Sequence, residues 1–434
     1  MIDAMMERGI WRYKRYLPSF EQQISMDEGN TPFLEIHDRI KARLEYTMPI
    51  EQLFFKNETI NPTGSFHDRA AALVVSQALS EHYDSLVVAS DGNHGVSVAA
   101  YAAYAGIRCH CIAPNRTDVG KIRFMEIYGA SVDAESEETL LGAQLRSNQY
   151  ADERASFQAS VEENPTCLLG QETLAFELAD ETTLQDREYV LLVPTGSGSL
   201  IHSLWAGFKK ARAVGATSSI PHLCAVQIAG YDPITSILHQ NKTIPGNRDE
   251  GIFVSPLMID LPFYKENAVE AIRNSMGDSF SIEQRRVAAV AAQLARNFGF
   301  LVENATAAAI AALPSLGEHP QLGDLPVVII LTGSGIKTPE LFPFSSPIHL
   351  ERSPTELLPS STKIAILKTL KARTTASGKE LWRLMDRIVS PQVIYQHLAG
   401  LREKGFIHPL DQTGKTKQYH LTPKGMKFLE AMQS

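Results

Sequence analysis

Ser85-Leu86-Val87-Val88-Ala89 runs straight into Ser90-Asp91-Gly92-Asn93-His94-Gly95, and a helical pattern continues from Gly95 to Ala105. A continuous apolar run suits a strand covered on both faces, and the glycine-bearing loop suits the turn into a helix. The same order of signals recurs along the chain. Cys109-His110-Cys111-Ile112-Ala113, Tyr189-Val190-Leu191-Leu192-Val193, Cys224-Ala225-Val226-Gln227-Ile228 and Val327-Val328-Ile329-Ile330-Leu331 are further apolar runs. Helical stretches such as Asp68 to Tyr83 lie between them. Strand then helix, repeated from about Gln52 to Thr338, predicts an α/β architecture with a doubly wound sheet.

The rest of the chain sets bounds on that prediction. Its 434 residues are 44% hydrophobic and 21% charged, the balance of a soluble globular protein with room for two or three domains. No run of eighteen apolar residues occurs, so no membrane partner is expected. Met1 to Tyr16 mixes acidic, basic and aromatic residues, unlike a signal peptide. Four cysteines do not form a disulfide framework in a chain of this size, and a reducing, cytoplasmic compartment is expected. Cys109-His110-Cys111 sits in a strand pattern with no second Cys/His pair at zinc spacing, so no metal is expected.

Four glycine-bearing loops carry the candidate chemistry. They are Asn61-Pro62-Thr63-Gly64-Ser65-Phe66-His67-Asp68-Arg69, the Ser90–Gly95 loop, Pro194-Thr195-Gly196-Ser197-Gly198-Ser199, and Leu331-Thr332-Gly333-Ser334-Gly335-Ile336-Lys337. Loops at the carboxyl ends of strands line the ligand crevice of an open α/β sheet. Glycines there let backbone N–H groups close on an anion, helped by the positive end of the following helix. Each loop alone is also compatible with an ordinary strand-to-helix turn.

Taken in order, these loops resemble threonine synthase within the tryptophan-synthase-β superfamily of fold-type-II pyridoxal 5'-phosphate (PLP) enzymes. The resemblance begins at Gly9-Ile10-Trp11-Arg12-Tyr13. It runs through Glu28-Gly29-Asn30-Thr31-Pro32-Phe33 and Lys56-Asn57-Glu58 and ends at Thr332–Lys337. It implies a PLP-binding body over residues 1–338, with a small subdomain near 80–135 inserted in a larger one. It also implies a homodimer and an amino acid, or a phosphorylated amino acid, as ligand. By the same resemblance Asn93 would meet the PLP phenolic oxygen, Gly196, Ser197, Gly198 and Ser199 would hold the phosphate, and Thr332 would face the pyridine nitrogen. Thr63, Ser65, Ser90 and Gly92 would face the substrate, with the Ser90–Asn93 amides on its carboxylate.

Two positions depart from the family pattern. His67 stands where the family keeps the lysine that binds PLP covalently, and an imidazole cannot take over that bond. It could still transfer protons near neutral pH. Lys56, Lys121 and Lys337 match family positions away from the cofactor carbon and do not replace the lysine. Asp91 makes its loop resemble that of diaminopropionate ammonia-lyase, where the aspartate is a proton-transfer candidate; as a helix cap it is equally explained. Glu303 is expected to be structural.

Pro339 to Ser361 is rich in Pro and Ser and reads as a linker. Beyond it the charge changes sign. The stretch from Ser361 to Ser434 carries 13 Lys/Arg against 5 Asp/Glu, whereas the whole chain has a net charge of −8. Helical patterns at Lys363–Arg373, Ser377–Asp386 and Pro391–Lys404 precede a hairpin of Gly405–Ile407 with Gln418–Leu421 and a final helix after Pro423. With its ending Tyr419-His420-Leu421-Thr422-Pro423-Lys424-Gly425, residues 362–434 resemble a winged helix-turn-helix domain. That likeness implies DNA as a partner, met by Gln392, Tyr395, Gln396 and Arg402 on the third helix and by Lys415 and Lys417 on the wing. A docking or dimerisation module is the alternative. Two functions follow: a lysine-less regulator sensing PLP or an amino-acid adduct, or an active PLP-dependent lyase or replacement enzyme in which His67 is an engineered or compensated residue.

Overall fold

The computed structural model describes residues 8–41, 50, 52–137, 139–240, 254–338, 361–384, 391–410 and 417–431. The chain divides into two compact units, Met1–Pro339 and Glu340–Ser434. Much of the expected linker lies outside the described residues.

The first unit holds two sheets. The larger is built from β1 (Phe33–Glu35), β2 (Leu53–Lys56), β7 (Val190–Pro194), β8 (His222–Ile228), β9 (Ser279–Ile282) and β10 (Val327–Ile330), in the order β1-β2-β10-β7-β8-β9. The smaller is built from β3 (Ser85–Ala89), β4 (Arg108–Pro114), β5 (Ser131–Glu137) and β6 (Phe157–Gln158), in the order β5-β4-β3-β6. Every pairing is parallel except β1 with β2. The two sheets match the two open twisted α/β subdomains that the family resemblance implies. The smaller one reaches to Gln158, beyond the 80–135 segment assigned to it, because the two-residue β6 pairs with the far side of β3.

The apolar runs are central strands. All residues of β2, β3, β7, β8 and β10 are buried. Helices cover them; each fully buried Leu or Val along such a strand contributes about 1.5–3 kcal/mol. The helix His67–Ser80 carries Ala70, Leu73 and Val74 into one core with Tyr101 and Val98 from the helix Asn93–Ala105. The helices Thr166–Ala179 and Ser199–Ala213 pack Leu174, Phe176, Leu204 and Phe208 against β7 and β8. All four cysteines are free and buried. Among the described residues no helix is long and apolar enough to cross a membrane.

The second unit packs helices Ser361–Arg373, Gly378–Leu384, Pro391–Glu403 and Pro423–Ala431 around Ile366, Leu370, Leu381, Ile394, Leu398 and Leu401. Its sheet has three antiparallel strands, β11 (Thr375–Ser377), β12 (Ile407–Leu410) and β13 (Gln418–Leu421), ordered β11-β13-β12. The residues after the first helix thus begin as a strand, not as the expected helix at Ser377. Ser377 and Glu380 then form a reciprocal cap. Ser377 N–H donates to Glu380 Oε2 at 2.7 Å, and Glu380 N–H donates to Ser377 Oγ at 3.3 Å.

Candidate functional site

A cavity in the first unit opens where β3, β7 and β10 end. Of the residues singled out in the sequence, His67, Ser90, Asp91, Asn93, Gly196, Ser197, Gly198, Ser199 and Thr332 line it. Thr63, Ser65 and Gly92 do not. The Thr63 hydroxyl donates to Asp68 Oδ1 at 2.5 Å, and Ser65 is fully buried, its Oγ accepting the His67 N–H. Gly92 is packed against the Lys121 side chain, where a Cβ would come within 3.2 Å of Nζ.

The end of β7 makes a tight glycine turn into a helix at the cavity wall. Gly198 has φ +87°, a left-handed conformation natural to glycine, and it caps the 15-residue helix Ser199–Ala213. Gly196 packs so closely on the Pro256 carbonyl oxygen that any Cβ would overlap it. The positive end of a long helix therefore lies at the cavity wall, where the Ser199 N–H donates to Ser197 Oγ at 3.4 Å. At the end of β10 the Thr332 hydroxyl lies 3.0 Å from that of Thr306.

The end of β3 is arranged differently from expectation. Ser90 Oγ accepts from both Gly92 N–H (3.1 Å) and Gly95 N–H (3.0 Å), so Ser90, not Asp91, caps the helix start. The Gly92 amide is thereby taken and is not available to a substrate carboxylate. Asn93 Nδ2 donates to Glu303 Oε2 at 2.8 Å, while its Oδ1 has no partner. Glu303 Oε1 lies 3.5 Å from the buried Lys121 ammonium. Burial raises the Asp91 carboxyl pKa, offset in part by Lys121 and Arg116.

His67 sits at the first turn of its helix, with its ring centroid 4.1 Å from Phe66 and 5.3 Å from His94. Its Nδ1 has no hydrogen-bond partner. Burial drives its pKa well below the usual histidine value, and His94, Lys337 and Lys121 push in the same direction. The imidazole is neutral at neutral pH. It is thus not the proton donor that an unperturbed histidine would be.

Three titratable lining residues were not among the expected site residues: Glu162, Glu303 and His94. Glu303 was taken as structural, yet it joins Asn93 to Lys121. Glu162 follows β6, a strand too short to announce itself by periodicity. Burial, then the charge of Asp91, raises its pKa to about 7. No lysine or arginine lines the cavity among the described residues. Lys337 Nζ donates to the Thr63 carbonyl at 2.9 Å, and burial pulls its pKa down to about 8.

In the second unit Val393, Ile394, Leu398 and Leu401 of the helix Pro391–Glu403 face inward, and Gln396 and Arg402 are exposed. Tyr395 is half exposed and packs over Gly378, where a Cβ would overlap its ring. Lys417 is exposed. Lys415 and the side chain of Gln392 lie outside the described residues.

The turn after β7, the hydroxyl at the end of β10 and the side-chain amide of Asn93 suit a small phosphate ester with a polar aromatic ring. A family model described as "Pyridoxal-phosphate dependent enzyme" matches residues 24–333, and the chain belongs to that family, whose cofactor is pyridoxal 5'-phosphate. Among its relatives are the threonine synthase of Methanocaldococcus jannaschii, 32% identical over 77% of this chain and 82% of that protein. Another is the threonine synthase of Methanosarcina acetivorans, 30% identical over 76% of this chain and 80% of its own. The fold is also that of a solved PLP-dependent aspartate racemase, with a TM-score of 0.61 and 21% identity over 77% of this chain and 98% of that one.

The turn after β7 yields a direct test. Gly196→Ala would displace the loop from Pro256, and PLP affinity should fall about tenfold or more, the value of one lost hydrogen bond to a charged group. Fluorescence titration with PLP measures it; unchanged affinity would mean that phosphate binds elsewhere.

Proposed function

We propose that the first unit binds PLP without a covalent bond to position 67 and uses it to sense an amino acid, and that the second unit transmits the result to DNA. What supports this reading is His67 in the cavity wall, at the place where its motif resembles the family's lysine motif, with no lysine lining the cavity among the described residues. Gly196, Ser197, Gly198 and Ser199 would hold the phosphate, Asn93 the phenolic edge, and Thr332 the pyridine nitrogen. A neutral hydroxyl at that nitrogen favours its unprotonated form. Bound there, PLP would supply an aldehyde to which an amino acid's α-amino group can attach. His67 would fill the floor of the site as a neutral acceptor.

The helix Pro391–Glu403, with Gln396 and Arg402 outward, and the three-stranded sheet beside it support a winged helix-turn-helix reading of the second unit. Lys417 at the edge of β13 would meet phosphates, and Tyr395, Gln392 and Lys415 complete the proposed surface. Ligand-dependent change in the first unit would bias DNA binding by a dimer, provided the ligand distinguishes the two states.

A specific finding favours a second reading. Threonine synthases about one-third identical extend over three quarters of this chain, so an active PLP-dependent enzyme, with proton transfer by Asp91 or another cavity group, is consistent with its ancestry. One experiment separates the two. Purified protein is assayed for turnover of O-phosphohomoserine, threonine and serine, and for binding to DNA from upstream of its own gene. The sensor reading expects no turnover and salt-sensitive DNA binding that changes when PLP and an amino acid are added. Steady turnover, or no DNA binding even at low salt, would overturn it.

A further inference from the structure

Glu303 occupies the N-cap position of the helix Asn304–Ala311, yet its side chain makes no capping bond to that helix. It is 4% exposed and stands in the cavity wall instead. There Oε2 accepts from Asn93 Nδ2 at 2.8 Å, and Oε1 lies 3.5 Å from Lys121 Nζ. Three helix starts thus meet in one polar chain: Asn93 opens Asn93–Ala105, Lys121 lies in the first turn of Val119–Ile127, and Glu303 precedes Asn304–Ala311.

Two glycines make room for this chain. A Cβ on Gly333 would fall 2.9 Å from Glu303 Oε2 and 3.1 Å from Asn93 Nδ2, on the hydrogen bond itself. A Cβ on Gly92 would meet Lys121 Cδ at 3.0 Å. The Gly333 carbonyl also accepts the Glu303 N–H at 2.9 Å, so the backbone beside Thr332 fixes where the carboxylate stands. Lys121, shared with Asp118 at 3.6 Å, supplies the counter-charge that a carboxylate needs at so buried a place.

The bond decides how the Asn93 amide is turned. A carboxylate oxygen only accepts, so Nδ2 must point at Glu303. Oδ1 is enclosed and has no partner. Asn93 is nonetheless partly exposed and lines the cavity. Nδ2 carries two hydrogens, of which Glu303 takes one, and the other is what Asn93 has left to offer a ligand. Without Glu303 the amide would be free to turn and find a donor for Oδ1, and that offer would be lost.

We propose that Glu303 is a positioning residue for the cofactor: it holds Asn93 so that the second Nδ2 hydrogen is presented to the phenolic edge of bound PLP. The inference rests on the PLP-binding reading above and adds the residue that sets this contact. An N–H donor at that edge favours the phenolate form over the phenol, because hydrogen bonds to a charged form stabilise it.

The test is a double-mutant cycle read by PLP binding. Fluorescence titration gives the affinity, and absorbance of the bound cofactor gives the ratio of its phenolate band to its phenol band. Glu303→Leu should weaken PLP binding about tenfold and shift that ratio toward the phenol. Glu303→Gln, whose amide oxygen still accepts from Nδ2, should stay within about threefold of the natural chain and keep the phenolate band. In an Asn93→Ala background Glu303→Leu should have no further effect on either readout, because Glu303 acts through Asn93. A merely structural glutamate would cost the same in both backgrounds and leave the band ratio alone. Gly333→Ala, whose methyl would wedge into the Asn93–Glu303 bond, should lower affinity and band ratio together, and it decides the matter if Glu303→Leu does not fold. Equal losses in both backgrounds, an unchanged band ratio, or full PLP affinity in Asn93→Ala would overturn the proposal. Normal PLP uptake without coupling between the two residues sinks this inference alone, whereas no uptake by the natural chain sinks it together with the function proposed above.

Discussion

Replacing His67 with lysine should turn a non-covalent PLP binder into a covalent one. Borohydride treatment of the PLP-loaded His67→Lys protein should fix the cofactor to the chain in near-stoichiometric amount, whereas the natural sequence should release all of it on denaturation. The surroundings of residue 67 support the change. Burial, His94, Lys337 and Lys121 already disfavour positive charge there. A lysine amine in the same place would be held partly neutral near physiological pH, the form that attacks an aldehyde. Intact-protein mass spectrometry after reduction reads the outcome. Cofactor fixed to the natural chain would show that another amine serves and would remove the basis of the sensor reading; no fixation in the variant would show that residue 67 does not face the cofactor carbonyl.

Arg69→Leu should cost about 3–5 kcal/mol of folding stability. The Arg69 guanidinium is fully buried, with Nε donating to Glu58 Oε2 at 2.7 Å and Nη1 to Glu177 Oε1 at 2.8 Å. Lys56 Nζ donates to the other Glu177 oxygen at 2.7 Å. Burial would raise both carboxyls, but Arg69, with Lys56, outweighs it and holds them below the usual range. Leucine would leave Glu58 without an ion-pair partner, held by Thr31, Asn61 and the more distant charge of Lys56, and Glu177 with Lys56 as its remaining ion pair. Since the folded-state pKa values are depressed, the stabilisation exists above the unfolded value of about 4.3 and fades as pH falls below it. Urea denaturation should thus show a large deficit at pH 7 that narrows toward pH 3. A deficit under about 1 kcal/mol at neutral pH would mean that water or local rearrangement already screens the cluster.

The strands were legible in the sequence because parallel strands buried on both faces leave unbroken apolar runs, as in β3 and β8. The partition into two sheets came only through the family resemblance, and the far edge of the smaller sheet was missed because it is closed by the two-residue β6. The turn after β7 was legible in Gly196, which packs on the Pro256 carbonyl, and in Gly198, whose left-handed backbone favours glycine. Thr63 and Ser65 misled because a hydroxyl in a glycine loop looks the same whether it faces a ligand or a buried aspartate. Glu162 had no motif to mark it, and His94, though inside the Ser90–Gly95 loop, was passed over beside Asp91 and Asn93. For Glu162 the one available signal was position, a few residues beyond a strand of the smaller sheet.

The loop carrying His67 and the loop carrying Thr332 are bonded to each other. Phe66 N–H donates to the Thr332 carbonyl, Ser334 N–H donates to the Gly64 carbonyl at 2.8 Å, and Lys337 clasps the Thr63 carbonyl. Compliance in this pocket is consequently one-sided. The larger-sheet wall behaves as an anvil, and adaptation to ligands of different length falls to the wall built on the smaller sheet, where the helix start is held by side-chain bonds from Ser90, Asn93 and His94. Amide exchange should record that asymmetry, slow at Phe66 and Ser334 and faster, with a strong response to ligand, across the turn from Asp91 to His94.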